Sequence, residues 1–273
     1  MAFALGPNAT SRGYRLLAFD TIGSTSVEAA ERGREGDPGR LWIVAQEQTA
    51  GHGRRGRPWQ TPSGNLAASL LILPPGPPAQ AATLGFAAGL ALETAIRASA
   101  RDGAFRIFLD GAAGPGTRLT LKWPNDVLIG GAKVAGILLE AIALAHDRTA
   151  VVIGIGVNVR HAPEGLPYRT TSLAACGGDA NAESLFGALA EAWVDQEALW
   201  SGAEGFAPVR QRWLERAAGL GGPIAVRLGE DVFRGTFETI DDEGRLVVRG
   251  SDGAARAVSA GEVHFGAAAT MAI

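Results

Sequence analysis

Cysteine is nearly absent from this sequence: Cys176 is the single cysteine among 273 residues. One cysteine cannot form an internal disulfide bond, so nothing indicates an oxidising compartment, and a lone cysteine is more often inert packing than a nucleophile. Cysteine or histidine pairs at ligand spacing are also missing, which argues against zinc. Basic residues are not in excess, because the net charge is −3. We therefore expect no general attraction to nucleic acids or anionic membranes.

The N-terminus lacks a basic segment followed by a long apolar run. We predict neither a signal peptide nor a transmembrane helix, and we expect a cytoplasmic protein. The composition is globular, with 47% hydrophobic and 19% charged residues. Glycine and proline are frequent, with 38 and 14 residues, but dispersed, which indicates many turns rather than disorder. The length suffices for one substantial domain and a small one.

Hydrophobic periodicity predicts strands and helices over residues 1–219, which we take as the first of two domains. Residues 1–13 are expected to be an irregular lead-in, and residues 101–117 a glycine-rich loop. Thr25 and Glu28 have capping-box spacing before a short helix, and Gly130–Gly131 predicts a two-residue hairpin turn. Longer helices are predicted at 80–99, 181–200 and 204–217, and strands at 14–20, 41–47, 65–73, 118–123, 126–129, 134–143 and 150–159.

Beyond Gly219–Gly222 the pattern changes to short alternating strands, at 224–228, 231–240, 245–250 and 255–259. Turns rich in aspartate and glycine separate these strands. Closely spaced strands of this kind are typical of a small β-barrel. We therefore predict a second domain over residues 220–273.

A glycine- and arginine-rich segment runs from Gly51 to Trp59, with the sequence Gly-His-Gly-Arg-Arg-Gly-Arg-Pro-Trp. Glycines allow tight turns and close approach to a ligand. Arginines offer planar donors for phosphate or carboxylate oxygens, and a tryptophan offers a flat face for a base. The segment is interpreted as a flap that closes over an anionic, base-containing ligand. The alternatives are a solvated basic turn or a nucleic-acid contact.

A second motif, Lys-Trp-Pro-Asn-Asp, spans Lys122 to Asp126 at the end of a predicted strand. A lysine in such apolar surroundings normally needs an anionic partner, which favours a functional role for Lys122 in neutralising a carboxylate and a phosphate. Asn125 and Asp126 could hold a metal or a nucleotide, or could simply form the turn after Pro124. The two interpretations of this pair are about equally supported.

Two further predicted strands, within Gly131–Glu140 and Val152–Asn158, carry glycines at alternating positions. Such glycines would clear a narrow apolar slot above the sheet, closed at one end by Asn158. Taken singly, these glycines more often serve packing. The Gly154-Ile-Gly156 step is not a dinucleotide fingerprint, because a third glycine opening a helix is missing.

In this order the segments resemble the biotin–protein ligase family, from about residue 14 to residue 265. The flap and the Lys-Trp-Pro-Asn-Asp motif are highly specific in combination. The matching pieces are Ser24-Thr25, Gln48–Trp59, Lys122–Asp126, Lys133–Glu140, Gly154–Asn158 and Thr171-Ser-Leu173.

The resemblance implies an α+β catalytic core, with a mixed β-sheet flanked by helices similar to that of class II synthetases, followed by an SH3-like β-barrel. It also implies a two-step reaction that uses biotin, ATP and Mg²⁺. Biotin is first activated as biotinyl-5′-AMP and then transferred to a specific lysine of an acceptor. The implied partner is a biotin carboxyl carrier protein or the biotin-carrier domain of a carboxylase.

Carried over position by position, the resemblance also implies site residues. Lys122 and Arg54 would be catalytic through electrostatic stabilisation rather than covalent chemistry. Asp126 would be a metal ligand. Biotin would contact Ser24, Thr25, Ser26, Gln48, His52, Gly53, Arg54, Lys122 and Gly136. The adenylate would contact Arg54, Arg57, Trp59, Asn125 and Asn158.

The sequence departs from the family pattern at His52, where the flap usually has arginine. Either His52 occupies a tolerant loop position, or it contacts the ligand through a neutral N–H and holds it more weakly than arginine would. Some family members carry an N-terminal helix-turn-helix domain. Here the catalytic pattern begins near residue 14, so we expect no DNA binding. A monomer or weak homodimer is expected. The alternatives are a lipoate-type ligase, with the same chemistry on another acid, and a nucleic-acid-binding module.

Overall fold

The computed structural model describes residues 2–75, 78–100, 105, 118–145 and 148–265. Two β-sheets organise these residues, a larger sheet of seven strands and a C-terminal sheet of five. The expected loop over 101–117 lies outside the described residues, apart from Phe105. Helices flank the larger sheet, so the predicted α+β class is confirmed.

The larger sheet has the strand order β1-β2-β3-β7-β6-β5-β4. β1 and β2 run parallel, whereas every other neighbouring pair is antiparallel. The predicted mixed sheet is therefore confirmed. Its strands are β1 (Arg15–Ile22), β2 (Leu41–Gln48), β3 (Leu66–Ile72), β4 (Leu119–Lys122), β5 (Asp126–Ile129), β6 (Ala132–Ala143) and β7 (Thr149–Val157).

The hairpin between β5 and β6 confirms the two-residue turn. Gly130 and Gly131 both adopt left-handed φ angles, of 59° and 73°. Side chains rarely tolerate this conformation at two successive positions, so the Gly-Gly pair suits the turn. The turn places Asp126 at the start of β5 opposite Gly136 of β6.

Helices cover both faces of the larger sheet. Alternate residues of β2 separate into two apolar clusters, since Trp42 and Val44 join the larger cluster while Leu41 and Ile43 join the smaller. α4 and α5 pack together on the first face, and α2 covers the second. The helices are α1 (Pro7–Ser11), α2 (Thr25–Arg34), α3 (Pro78–Ala81), α4 (Leu84–Ser99), α5 (Ala182–Trp200) and α6 (Ala207–Leu214).

Two local predictions near the N-terminus were wrong. The lead-in over residues 1–13 contains α1, whose Ala9 N–H donates to the Glu191 carboxylate at 2.8 Å. This partner lies far away in the sequence, so no local pattern reveals it. The cap of α2 is Ser24 rather than Thr25. Ser24 is extended and its hydroxyl accepts from Val27 N–H at 3.4 Å, which makes Thr25 the first helical residue.

The C-terminal sheet is antiparallel, with the order β11-β10-β9-β8-β12. Its four predicted strands are present, and the last strand, which pairs back onto the first, was not predicted. The five-stranded sheet as a whole corresponds to the predicted small barrel. The strands are β8 (Pro223–Leu228), β9 (Asp231–Ile240), β10 (Leu246–Arg249), β11 (Ala255–Val258) and β12 (Glu262–Phe265).

The two sheets share one continuous apolar core. The indole N–H of Trp123, at the end of β4, donates to the Gly244 carbonyl at 3.0 Å. The guanidinium of Arg210 donates to the Ile240 carbonyl at 2.9 Å. The segment that carries Lys122 is therefore packed against the C-terminal sheet.

One segment among the described residues, Ala79–Ser99, is long and apolar enough to cross a membrane by length and composition. It contains α4, whose Leu84, Ala88, Leu92 and Ala95 are all buried in the core. Its apolar character is accounted for by packing against the sheet and α5.

Candidate active site

The N-terminus of α2 and the end of β2 form a buried polar cluster. Ser24, Thr25 and Ser26 are all buried. The side-chain amide oxygen of Gln48, Oε1, accepts from the Thr25 N–H at 2.8 Å and from the Thr25 hydroxyl at 3.1 Å. Predicted biotin contacts from two elements therefore meet at one place. A small set of polar groups held in fixed positions suits recognition of a ligand ring with several heteroatoms.

Ser69 belongs to this cluster and was missed in the sequence. It is fully buried on β3, and its hydroxyl lies 2.8 Å from the Thr25 hydroxyl and 3.0 Å from that of Ser26. Gly154 on the neighbouring strand is required for packing, because a Cβ there would lie 2.6 Å from the Ser26 hydroxyl. The sequence did contain a clue to this residue, since Ser69 is the one polar side chain in the otherwise apolar strand Leu66–Ile72.

The predicted flap forms a short hairpin against the sheet. Gly53 N–H donates to the Arg57 carbonyl at 2.8 Å, and Trp59 N–H donates to that of Gly51 at 2.9 Å. At its tip Arg55 adopts a left-handed φ of 59°, followed by Gly56 at 69°. The hairpin folds Arg54 and Trp59, two of the flap side chains predicted to contact a ligand, back toward the sheet.

The glycine slot predicted above the sheet is filled by Trp59. Gly136 and Gly156 are register partners on β6 and β7. A Cβ at Gly156 would overlap the Trp59 indole, and a Cβ at Gly136 would lie 3.2 Å from it. The slot therefore receives a side chain of the flap, which the sequence pattern did not reveal.

Lys122 extends from the end of β4 into this region with little contact to water. Among the described residues it has neither an ion pair nor a hydrogen bond, and its ammonium lies 5.5 Å from the centroid of the Phe265 ring. Burial lowers the pKa of Lys122, and the nearby Asp126 carboxylate opposes this effect. A cation held in this way is available to an anionic ligand.

Arg54 lies in the same region, with its guanidinium donating to the Asn125 side-chain oxygen at 3.2 Å. The Asn125 amide in turn donates to the Ile137 carbonyl at 2.8 Å, which fixes it to β6. Burial lowers the pKa of Arg54, with the neighbouring Arg55 acting in the same direction. The structure thus brings the flap and the motif around Lys122 together.

Lys133 is a third cation of the site that was not predicted. Its ammonium pairs with the Asp126 carboxylate at 2.6 Å, and both side chains are largely buried. Arg54, Lys122 and Lys133 therefore surround Asp126, so that positive charge exceeds negative charge. Within the described residues no group of three or more acidic, histidine or cysteine side chains could hold a metal.

Three other predicted site residues contact protein groups. The exposed Arg57 pairs with Glu262 of β12, to which Arg55 also donates at 3.4 Å. The His52 imidazole lies 3.5 Å from the Glu140 carboxylate. The buried Asn158 amide donates to the Thr171 carbonyl at 3.1 Å. The flap is thereby connected to both sheets.

Comparison with known proteins identifies the class to which this fold and site belong. Residues 21–158 match the biotin/lipoate A/B protein ligase family, and residues 219–266 match the biotin protein ligase C-terminal domain. The chain belongs to the biotin/lipoate A/B protein ligase family.

Individual relatives are more specific. A biotin–[acetyl-CoA-carboxylase] ligase from Paracoccus denitrificans is 42% identical over 89% of this chain and 97% of its own length. The fold is similar to that of a biotin protein ligase from Aquifex aeolicus in complex with biotin and ATP. That match has a TM-score of 0.73 and 23% identity, over 92% of this chain and 99% of the other. A Leishmania major biotin protein ligase in complex with biotinyl-5-AMP is 26% identical, with a TM-score of 0.62, over 90% of this chain and 99% of the other.

Proposed function

We propose that the chain is an ATP-dependent biotin–protein ligase, which joins biotin to one lysine of an acceptor protein. The observation that carries this proposal is Lys122, a largely buried ammonium without an ion-pair or hydrogen-bond partner in the described part of the chain. Burial of such a charge costs the fold free energy, which the cation–π contact with Phe265 offsets only in part. Lys122 would have a role if the protein binds an anionic ligand. Biotin is such a ligand, because it carries a carboxylate, and it is the substrate named for the Paracoccus denitrificans relative.

In the first step a biotin carboxylate oxygen attacks the α-phosphorus of ATP. The P–O bond to the β-phosphate breaks, and pyrophosphate leaves with the bonding electrons. Lys122 and Arg54 stabilise the charge that accumulates on the α-phosphate oxygens, and they hold the carboxylate beside it. No nucleophilic side chain is needed.

In the second step the amine of the acceptor lysine attacks the carbonyl carbon of biotinyl-5′-AMP. An amide bond forms, the carbonyl carbon–oxygen bond to the phosphate breaks, and AMP leaves. The amine loses one proton to solvent as the bond forms. Lys122 and Arg54 again offset the negative charge, which now resides on the departing AMP phosphate.

The positions of the other residues support an assignment of roles. The buried polar cluster around Thr25 and Gln48 would bind the ureido ring of biotin. Trp59, Asn125 and Asn158 would surround the adenylate. Mg²⁺ would arrive with the ATP phosphates, since it commonly combines substrate phosphates with one or two carboxylates. Asp126 would supply one carboxylate once Lys133 releases it.

We further propose a division into a catalytic domain, residues 1–219, and a C-terminal domain, residues 220–273. The acceptor would be a biotin carboxyl carrier protein or a carboxylase carrier domain. The protein would act in the cytoplasm as a monomer or weak homodimer, without binding DNA.

Two measurements test the proposal. Biotin should raise the melting temperature and lipoate should not, because a ligand that binds the native state stabilises it. Exchange of labelled pyrophosphate into ATP should depend on biotin. Stabilisation by lipoate alone would favour a lipoate-type ligase. Retention of nucleic acid on filters at moderate salt, without pyrophosphate exchange, would favour a nucleic-acid-binding module.

A further inference from the structure

The half-buried His264 on the C-terminal sheet carries an imidazole nitrogen without a partner. Its Nε2 atom is buried and has no hydrogen-bond partner among the described residues. His264 belongs to β12, where it lies opposite Ala225 of β8. A buried polar nitrogen that makes no hydrogen bond costs free energy, so packing alone does not account for a histidine at this position.

Strand alternation places His264 on the side of β12 that meets the flap. Glu262 and His264 are two residues apart, so their side chains lie on the same side of the strand. Val263, between them, points the other way and is buried in the core. The Glu262 carboxylate contacts the guanidinium groups of Arg55 and Arg57. His264 is therefore carried on the face of β12 that borders the flap.

Three charged groups face His264 within the described structure, namely Lys122 of β4, Glu262 of its own strand and Arg227 of β8. Lys122 lies close to β12, since its ammonium is 5.5 Å from the centroid of the Phe265 ring. Burial lowers the pKa of His264, and the Lys122 charge acts in the same direction. The Glu262 carboxylate opposes this effect, and Arg227 adds to it. His264 is therefore neutral in the empty site at neutral pH.

A neutral imidazole suits a site that already carries an excess of positive charge. Arg54, Lys122 and Lys133 surround the carboxylate of Asp126. A permanent cation at position 264 would add repulsion while the site is empty. A phosphate that binds beside Lys122 reverses this balance, because nearby negative charge favours the protonated form of histidine.

We propose that His264 takes up a proton when the α-phosphate of the substrate binds beside Lys122, and that the imidazolium then supplies a further positive charge to this phosphate. The inference rests on the proposed function, because it needs a nucleotide as the ligand. The proton comes from solvent and returns to solvent when AMP leaves, and no covalent bond to His264 forms. The additional cation is thus present in both steps of the reaction and absent from the empty site.

The test uses a stable phosphodiester analogue of biotinyl-5′-AMP, in which a methylene group replaces the acyl carbonyl. Its phosphate keeps the same charge throughout the neutral range, so proton uptake on binding belongs to the protein. Titration calorimetry near neutral pH, in buffers of different ionisation enthalpy, measures this uptake. The wild type should take up about one proton more than His264→Gln, because glutamine does not titrate. His161→Gln is the matched control, since His161 is exposed on the loop after β7, and it should behave as the wild type.

Proton uptake also makes the affinity for the analogue depend on pH, because proton binding and ligand binding are linked. The wild-type affinity should fall by up to about ten-fold per unit as the pH rises through the neutral range, and the affinity of His264→Gln should change less. Lys122 is present in both proteins, so its contribution cancels in this comparison.

Equal proton uptake by the wild type and His264→Gln, or the same loss in His161→Gln, would overturn the inference. His264→Asn is a second variant with the same expected result, in case His264→Gln does not fold. Neither measurement requires turnover. A wild type that binds no analogue and shows no biotin-dependent pyrophosphate exchange would instead refute the proposed function.

Discussion

Replacement of Lys122 by methionine should make the protein more stable and nearly inactive. Methionine keeps the length of the side chain but removes a charge that burial disfavours. Since no ion pair or hydrogen bond to Lys122 exists in the described structure, the change leaves no orphaned partner behind. Loss of the cation–π contact with Phe265 is partly offset by contact of the methionine sulfur with the same ring.

The net gain in the free energy of unfolding should be about 1 kcal/mol, within the range common for removal of such functional groups. For a chain of this size that corresponds to roughly 2–4 °C in Tm. The gain should depend on pH. Because the folded-state pKa of Lys122 is lowered, the wild type carries the full penalty below that pKa. The penalty disappears as pH rises toward the ordinary pKa of lysine, so the advantage of the variant should shrink in alkaline solution.

Calorimetry and biotin-dependent pyrophosphate exchange measure the two effects on one preparation. Exchange should fall about 100- to 1000-fold, the usual cost of removing one group that stabilises transition-state charge. Lys133→Met is the matched control, for which we expect the free energy of unfolding to fall rather than rise. It leaves the Asp126 carboxylate without its partner at 2.6 Å and should destabilise the fold by about 1–3 kcal/mol. A Lys122→Met protein that melts below the wild type, or exchanges pyrophosphate at a near-normal rate, would refute the reasoning.

Three further tests concern the flap. Arg54→Ala removes a charge-assisted contact worth about 1.5–3 kcal/mol, so biotinyl-AMP should dissociate roughly ten- to a hundred-fold faster, and a rate within two-fold of the wild type would contradict the assignment. Gly156→Ala should displace Trp59 and raise the KM for ATP, whereas Gly136→Ala, with a tolerable 3.2 Å contact, should change it much less; equal effects would exclude the packing argument. Glu262→Gln should free Arg55 and Arg57 and accelerate tryptic cleavage of the flap in the absence of ligands, and an unchanged cleavage rate would show that this carboxylate does not restrain it.

Features that depend on neighbouring residues could be predicted from the sequence. The Gly130–Gly131 turn requires two left-handed residues in succession, and its pattern is decisive. The helix over Leu84–Ser99 has buried residues at helical spacing. The flap and Lys122 were identified by unusual residue types in an apolar context, and the fold brings Arg54 and Asn125 of these two motifs into contact.

The features that were missed depend on partners far apart in the sequence. Ser69 lies 44 residues from Thr25, and the two residues meet only because α2 packs on β3. Glu262 lies 205 residues from Arg57. Trp59 is large enough to fill the space above Gly156. That space exists because the register of β6 and β7 places Gly136 opposite Gly156, and this register is not visible in the sequence. The physical reason is the same in each case, because tertiary packing supplies information that local pattern lacks.

Through the hydrogen bond from Trp123 to Gly244, the C-terminal sheet helps to hold the residue next to Lys122 in position. Trp123 follows Lys122 directly and is anchored in an apolar core that both sheets build. Unfolding of either sheet exposes the apolar surface of the other, so the two should melt in one cooperative transition. A chain shortened before β8 would then lose more than a peripheral module. It would release the strand end that aims the Lys122 ammonium, and with it the alignment on which charge stabilisation depends.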